Sequence, residues 1–252
     1  MTGTDTTPAA SPEAGTVEIE RTGEHQDIAV LTLRREKKLN ALSTHLESVL
    51  LDTLRSRPVR TSRAVVVTGV PRAFSAGADT RELREMTPEA IAEYYRSSGA
   101  VYEAFAALPQ PTVAALSGYC LGGGLELALA ADIRVADPDT VFGLPEVGIG
   151  ILPSSGGVTR LVREVGPART RDLVLRGCRF GAREAYAWGL IGELAEAGAV
   201  REKAVEVAAE LAAQPPFAVS VAKQVITAAT DAPREAALLL EQLAYAALNR
   251  TG

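Results

Sequence analysis

Two glutamates stand isolated in apolar surroundings, and their type and placement suggest acid–base chemistry. The segment from Ala104 to Ala131 carries a single charged residue, Glu126, and Glu146 ends a second uncharged segment. A buried carboxyl group is costly, so it is usually paired, protonated or functional. Two carboxyls that face one cavity could share a water molecule and divide the roles of acid and base. The alternative is that each glutamate caps a helix or pairs with an arginine, such as Arg134 or Arg160.

A run of three glycines, Gly122 to Gly124, opens the predicted helix that carries Glu126. The first amides of a helix have no partner within it, and glycine lets a reacting oxygen approach them. The amides of Gly123 and Ala78 could together hold an oxygen on which negative charge develops. The alternative is that the glycines form a flexible turn and allow close helix packing.

Basic residues form a second candidate site. The turn from Arg34 to Lys38, together with Arg81, could contact the phosphates of a ligand. The alternative is an ordinary solvated cluster of charges. We interpret Cys120 as a small core residue and not as a nucleophile, because no histidine is near it in the sequence.

The elements that must position these residues follow from their hydrophobic periodicity. Segments 17–21 and 28–33 alternate apolar and polar residues and predict a hairpin, and Ser43 is a suitable N-cap for a helix that reaches Arg55. The β-branched run 63–69 and the run 112–116 predict strands buried on both faces, as in a parallel sheet. The remaining predicted strands cover 132–136 and 190–194, and residues 140–146 are predicted to be extended. The remaining predicted helices cover 88–108, 167–176, 182–188, 201–213, 216–229 and 233–248, with a further arginine-rich helix opened by Ser154–Gly157.

Composition excludes several classes of protein. The chain has 252 residues, of which 47% are hydrophobic, which is ample for a core. A net charge of −5 gives no basic footprint for nucleic acid. Two cysteines and two histidines argue against a disulfide framework, a metal site and a Ser-His-Asp triad. No apolar run is long enough to cross a membrane and the N-terminus lacks a signal segment, so we expect a cytoplasmic protein.

Four motifs in order give this sequence its resemblance to a known family. Together they resemble the signatures of the crotonase, or enoyl-CoA hydratase/isomerase, family, over about residues 17–248. The motifs are Leu39-Asn40-Ala41-Leu42, Ala73-Phe74-Ser75-Ala76-Gly77-Ala78-Asp79, Gly118-Tyr119-Cys120-Leu121-Gly122-Gly123-Gly124-Leu125-Glu126 and Phe142-Gly143-Leu144-Pro145-Glu146.

The resemblance implies an α/β fold, namely a crotonase (ClpP-like) spiral of ββα units with a helical C-terminal trimerisation region. We expect residues 1–14 to form a disordered tail, 15–195 the spiral core and 196–252 the helical C-terminal region. The implied assembly is a homotrimer or a dimer of trimers. The implied ligand is an acyl-CoA thioester; coenzyme A is then part of the substrate, and no separate cofactor or metal is expected.

By motif position, the resemblance implies roles for particular residues. The amides of Ala78 and Gly123 would form the oxyanion hole, with Glu126 as the base toward water and Glu146 as the proton donor. The residues expected to bind the substrate or its coenzyme A portion are Arg35, Lys37, Lys38, Ala76, Ala78, Asp79, Thr80, Arg81 and Gly122. Family members that are hydratases hold both glutamates, so the resemblance favours reversible hydration of a 2-enoyl-CoA. The alternatives are an isomerase that shifts a double bond and a noncatalytic homologue that binds CoA thioesters.

The sequence departs from the family pattern at several points. Ser154-Ser155-Gly156-Gly157-Val158-Thr159-Arg160 stands where many members read Gly-Ala-Gly-Gly-Thr-Gln-Arg. We expect this loop to lie near Glu146, the proposed proton donor, and to affect the placement of water there. Lys38 occupies a position that is usually small. Beyond the position of Gly252, family members commonly continue into a basic helix that helps to cover the coenzyme.

Overall fold

The computed structural model describes residues 14–249, except for the side chains of residues 95–98. The predicted tail, residues 1–14, lies outside the described residues apart from Ala14. Within the described residues the strands are β1 (Thr16–Thr22), β2 (Ile28–Arg34), β3 (Ala64–Thr68), β4 (Ala73–Ser75), β5 (Thr112–Leu116), β6 (Tyr119–Leu121), β7 (Ile133–Ala136), β8 (Val141–Gly143), β9 (Arg179–Gly181) and β10 (Glu193–Leu194).

The helices cover most of the predicted helical segments. They are α1 (Thr44–Arg55), α2 (Arg57–Arg60), α3 (Thr80–Glu85), α4 (Pro88–Ala106), α5 (Gly123–Leu129), α6 (Gly157–Arg176), α7 (Ala182–Ala187), α8 (Val200–Ala213), α9 (Pro216–Ala229) and α10 (Arg234–Leu248), with 3-10 turns at Glu36–Lys38 and Glu146–Ile149. The predicted N-cap of α1 is confirmed, since the Ser43 hydroxyl accepts a hydrogen bond from the Leu46 amide at 3.2 Å.

The strands form two sheets between which the chain alternates. One sheet has the order β1-β2-β3-β5-β7-β10, and the other has the order β4-β6-β8-β9. The predicted hairpin is confirmed, because β1 and β2 pair antiparallel, whereas β2, β3, β5, β7 and β10 are parallel neighbours. Each pair β3–β4, β5–β6 and β7–β8 sends one strand to each sheet before a helix follows. This repeat is the predicted spiral of ββα units.

Successive side chains of β3 point to opposite faces of the sheet, and both faces are buried, which explains why residues 64–67 are all apolar. Val65 and Val67 belong to the main core, which also contains the buried faces of α1, α4 and α5. Ala64 and Val66 face the opposite side, where Ala204 and neighbouring residues of α8 cover the sheet. A strand covered on both faces has no polar side, as expected of a parallel sheet.

Two predicted boundaries differ from the structure. The predicted helix 167–176 and the arginine-rich helix before it are the two arms of α6, which kinks at Gly166 (φ 77°) before Pro167. Glycine adopts this positive φ without strain, and proline then begins the second arm. The strand predicted over 190–194 keeps only Glu193 and Leu194, which pair with β7.

Candidate active site

The segment Leu39–Leu42 positions one wall of the site. The Asn40 side chain is buried and donates to the carbonyls of Ala73 (3.1 Å) and Phe74 (3.2 Å). In return, the Ser75 hydroxyl donates to the Asn40 carbonyl at 2.8 Å. Asn40 has a φ of 52°, a conformation that asparagine tolerates better than most residues. This motif therefore fixes the start of the loop that carries Ala78.

Backbone hydrogen bonds then set the orientation of Ala78. The Leu42 amide donates to Gly77 and the Asp79 amide donates to Leu42, each at 2.8 Å, so that Ala78 lies between two anchored residues. Gly77 has a φ of 95°, and a Cβ there would lie 2.8 Å from the Leu121 carbonyl oxygen. The close approach of the two loops therefore requires glycine at this position.

The glycine run brings a second amide to the same place. Gly122 has a φ of 51° and donates to the Gly143 carbonyl at 2.9 Å, and α5 begins at Gly123. A Cβ on Gly123 would lie only 3.6 Å from the Ala78 nitrogen. Within the described part of the chain, the amides of Ala78 and Gly123 have no acceptor. Two neighbouring free donors can hold one oxyanion.

Glu126 is buried, with 4% exposure, and one of its oxygens is held by a loop. Oε1 accepts hydrogen bonds from the amides of Ser155 (2.7 Å) and Gly157 (2.8 Å). Burial raises the pKa of Glu126, while these two amides and the Arg160 charge oppose the rise. The amides favour the ionised form, which suits a base.

Glu146 has a different environment at the start of a 3-10 turn. It is 9% exposed, and a Cβ on Gly122 would lie 2.9 Å from its Oε1. Its Oε2 is buried and has no hydrogen-bond partner among residues 14–249. Burial raises the pKa of Glu146 to about 7, its own amide opposes the rise, and the negative charge of Glu126 adds to it. A carboxyl of this kind holds a proton near neutral pH.

Both glutamates and both free amides face one cavity of about 30 Å³. That volume is enough for a water molecule. The lining residues are Ala78, Leu83, Tyr94, Tyr102, Gly123, Glu126, Glu146, Ile151, Leu152, Ser154 and Ser155. The arrangement can therefore polarise a carbonyl while two carboxyls exchange protons beside it.

The predicted binding residues fall into a buried and an exposed set. Arg35 is buried, donates to Asp79 at 2.8 Å and also donates to the Ala41 carbonyl. Burial alone would raise the pKa of Asp79, but the Arg35 hydrogen bond and two amides outweigh it, so the pKa is lowered. Lys37 and Lys38 are exposed on their turn. The buried pair of Arg35 and Asp79 thus holds the loop that carries Ala78, whereas Lys37 and Lys38 are open to solvent.

The remaining predicted residues lie along the same loop. Thr80 and Arg81 are exposed at the start of α3, where Asp79 caps the helix by accepting from the Arg81 amide at 3.1 Å. Ala76 is half-buried just before the Ala78 turn. The loop therefore extends from the free Ala78 amide to an exposed cationic residue, Arg81.

The arginines considered as partners of the glutamates have other contacts. Arg134 pairs with Glu164 at 3.1 Å and donates to the carbonyls of Leu190 and Ala131. Arg160 pairs with Glu103 and donates to the Ser155 carbonyl at 2.9 Å. Cys120 is fully buried in the main core, as interpreted from the sequence.

A third buried carboxyl was missed by the sequence analysis. Glu47 lies on α1, and its Oε1 accepts hydrogen bonds from the hydroxyls of Tyr102 (3.0 Å) and Tyr94 (3.3 Å), both of which line the cavity. Its position next to Leu46 and three residues before Leu50 places it on the apolar face of the helix. An acidic residue on that face was the signal that could have revealed it.

Two kinds of feature are absent from the described residues. Over residues 14–249, no cluster of His, Cys, Asp and Glu could hold a metal ion. Among the helices described in that range, none is long and apolar enough to cross a membrane.

The fold and site define a class of protein, namely spiral α/β proteins with a pair of carboxyls beside two neighbouring free backbone amides. The family model for enoyl-CoA hydratase/isomerase matches residues 23–251. The 2,3-dehydroadipyl-CoA hydratase of Escherichia coli is 35% identical over 227 residues, which cover 90% of this chain and 88% of that protein. The short-chain-enoyl-CoA hydratase of Clostridium acetobutylicum is 33% identical over 238 residues, covering 92% and 89%.

Solved structures agree with these relatives. The crystal structure of enoyl-CoA hydratase from Bacillus anthracis matches with a TM-score of 0.86 at 33% identity and covers 91% of this chain and 89% of that one. The chain therefore belongs to the enoyl-CoA hydratase/isomerase, or crotonase, family.

Proposed function

We propose that the protein catalyses the reversible hydration of a 2-enoyl-CoA to a 3-hydroxyacyl-CoA. The observation that carries this proposal is that Glu126 and Glu146 line the same cavity as the free amides of Ala78 and Gly123. The coenzyme is part of the substrate, and the reaction needs no further cofactor.

In this mechanism the thioester oxygen accepts hydrogen bonds from the amides of Ala78 and Gly123. These donors draw electrons toward the carbonyl, so the β-carbon becomes electrophilic and the enolate-like charge is stabilised. One such donor typically contributes roughly 3 kcal/mol to the transition state.

The two glutamates then divide the proton transfers. Glu126 accepts a proton from the water that attacks the β-carbon, a role supported by the two amides and the Arg160 charge that favour its ionised form. Glu146 donates a proton to the α-carbon, a role supported by its burial and by the missing partner of Oε2 among the described residues. After one turnover the carboxyls have exchanged protonation states and return to them through solvent.

We assign the binding of the coenzyme portion to exposed cationic residues near the loop that carries Ala78. Lys37, Lys38 and Arg81 would attract its phosphates as solvent-facing charges. Gly122, Ala76 and Thr80 would line its path, and Arg35 would act through Asp79 by holding the loop.

The proposed assembly is a homotrimer or a dimer of trimers. Helices α9 and α10 pack against each other at the end of the chain, and several of their large apolar side chains are exposed, including Phe217, Ile226, Leu243 and Tyr245. Such exposed apolar surface is typical of a subunit contact.

The direct test is to incubate the protein with crotonyl-CoA and to follow the absorbance of the conjugated thioester. Hydration predicts loss of this absorbance and a 3-hydroxyacyl product. Glu126→Gln and Glu146→Gln should each reduce kcat by about 10²–10⁴-fold. Glu210→Gln, at an exposed position on α8, is the matched control and should keep normal turnover.

Other outcomes would replace the proposal. Near-normal rates in either glutamine variant would remove that glutamate from the mechanism. Formation of the conjugated absorbance from a 3-enoyl-CoA, without hydration, would favour an isomerase. Binding of CoA thioesters without any turnover would favour a noncatalytic homologue.

A further inference from the structure

A carboxyl outside the proposed mechanism lies beside the cavity. Glu47 on α1 is only 5% exposed, and its Oε1 is the shared acceptor of the Tyr102 and Tyr94 hydroxyls from α4. The charged groups that act on it within the described residues are Glu82 on α3 and Glu126 on α5, both of which are acidic. A buried carboxyl surrounded in this way is costly for the fold, so a functional reason is expected.

The contacts of Glu47 determine what the tyrosines can offer to a ligand. A phenol hydroxyl has one proton to donate, and its oxygen also carries lone pairs that accept. Tyr102 gives its proton to Glu47 at 3.0 Å. Toward the cavity its oxygen can therefore act only as an acceptor while Glu47 is ionised. Burial raises the pKa of Glu47 to about 7, so the comparison of substrates belongs at pH 8, where the ionised form prevails. The contact of Tyr94 with Glu47, at 3.3 Å, has the same direction.

The Tyr102 hydroxyl also lies close to the reacting centre. Its oxygen is 3.0 Å from the position that a Gly123 Cβ would take, and both tyrosines line the cavity with Glu126 and Glu146. An acyl group held by its thioester oxygen at the Gly123 amide therefore extends past an acceptor oxygen. A plain hydrocarbon in that place would leave the lone pairs of this oxygen without a donor, although the hydroxyl keeps its bond to Glu47.

We propose that Tyr102, oriented by Glu47 and supported by Tyr94, selects substrates whose acyl group carries a hydrogen-bond donor, such as a hydroxyl, next to the double bond. This inference rests on the proposed hydration of an enoyl-CoA. A site built to bind a hydroxyl discriminates strongly against the analogue that lacks it, because a buried polar group is then left unpaired.

The test compares crotonyl-CoA with 4-hydroxycrotonyl-CoA as substrates of the full-length protein. We expect kcat/KM to be at least about tenfold higher for the hydroxylated substrate, in line with one buried hydrogen bond. Tyr102→Phe should bring this ratio close to one. Tyr186→Phe, at an exposed position on α7, is the matched control and should preserve the ratio.

A second variant distinguishes a change in the orientation of the tyrosine hydroxyls from a loss of folding. Glu47→Leu removes the oxygen that accepts both tyrosine protons, so the Tyr102 proton is freed to point into the cavity. We expect this variant to keep its preference for 4-hydroxycrotonyl-CoA over crotonyl-CoA, because the substrate hydroxyl can also accept, and to gain turnover of 4-methoxycrotonyl-CoA, which can only accept. A merely structural role of Glu47 would lower all three rates together, and that result would overturn the proposal.

Binding measurements keep this inference distinct from the proposed reaction. The dissociation constants of 4-hydroxybutyryl-CoA and butyryl-CoA, measured by calorimetry, should differ in the same direction, and Tyr102→Phe should remove the difference. If no enoyl-CoA is hydrated but this difference is present, the proposed reaction fails and the selectivity stands. If crotonyl-CoA is hydrated with a ratio of one or less, the selectivity fails and the reaction stands.

Discussion

Replacing Glu146 with glutamine is expected to stabilise the fold at alkaline pH while it abolishes activity. The Glu146 carboxyl is buried beside Glu126, and its pKa in the folded protein is raised from its ordinary 4.5 to about 7. Between these two values the folded state binds more protons than the unfolded state, so the stability of the wild type falls as the pH rises through this window. At pH 8 Glu146 is ionised, and the folded state carries the full free-energy cost of burying its charge.

The size of the effect follows from the pKa difference. One pH unit corresponds to about 1.4 kcal/mol, so the buried Glu146 charge costs roughly 3 kcal/mol at pH 8. Glutamine has nearly the same shape and carries no charge at any pH. For a domain of this size, roughly 3 kcal/mol corresponds to an increase of about 6–12 °C in melting temperature.

The measurement is a set of thermal melts of the wild type and Glu146→Gln from pH 4.5 to pH 8. The gain in melting temperature should be small at pH 4.5, grow up to about pH 7 and then level off. Glu210→Gln on the exposed face of α8 should show no such trend. A difference that does not depend on pH, or that shrinks as the pH rises, would refute the reasoning.

Three further substitutions test how the site is held. Gly157→Ala would place a Cβ 2.7 Å from the Cγ and Oε1 of Glu126, so kcat should fall at least about tenfold with little change in KM. Asn40→Ala removes the bonds to two carbonyls and puts alanine at a φ of 52°, which should lower the free energy of unfolding by about 2–4 kcal/mol in denaturant titrations. Arg35→Met leaves the half-buried Asp79 without its cation and should raise KM for crotonyl-CoA more than it lowers kcat.

Matched controls make these results specific. Gly148→Ala adds a methyl group where no atom lies within 4 Å, so its activity should stay normal. Unchanged turnover in Gly157→Ala would show that Glu126 does not need its two amide donors for activity, and it would contradict the role given to them. A drop in kcat alone for Arg35→Met would mean that Arg35 acts on the chemical step instead of on the loop.

Most of the fold could be predicted because its signals are local. The buried strand β3 shows a continuous apolar run, and the α1 helix shows both its N-cap and its periodic face in adjacent residues. The joining of two predicted helices into α6 could not be predicted, since glycine followed by proline at 166–167 reads equally well as an end or as a kink.

The site could be predicted only in part, because its contacts connect distant positions. The ion pair of Arg35 with Asp79 spans 44 residues, so no local pattern shows it, and the expected contact of Arg35 with the coenzyme stays a prediction. Glu47 was missed because its partners Tyr94 and Tyr102 lie on another helix. No periodicity within α1 indicates what an acidic residue on its apolar face will contact.

The loop that departs from the family pattern, residues 154–160, gives the two glutamates different environments, which supports the roles proposed for them. Its donors to Glu126 are the backbone amides of Ser155 and Gly157, so the serine side chains are not needed for this contact. What the loop does require is glycine at 157, because any Cβ there would displace the carboxyl. Glu146 has no donor from this loop, and burial raises its pKa to about 7 although its own amide opposes the rise. In the proposed mechanism the division of roles therefore depends on backbone donors, and we expect substitutions at Ser154 and Ser155 to preserve it.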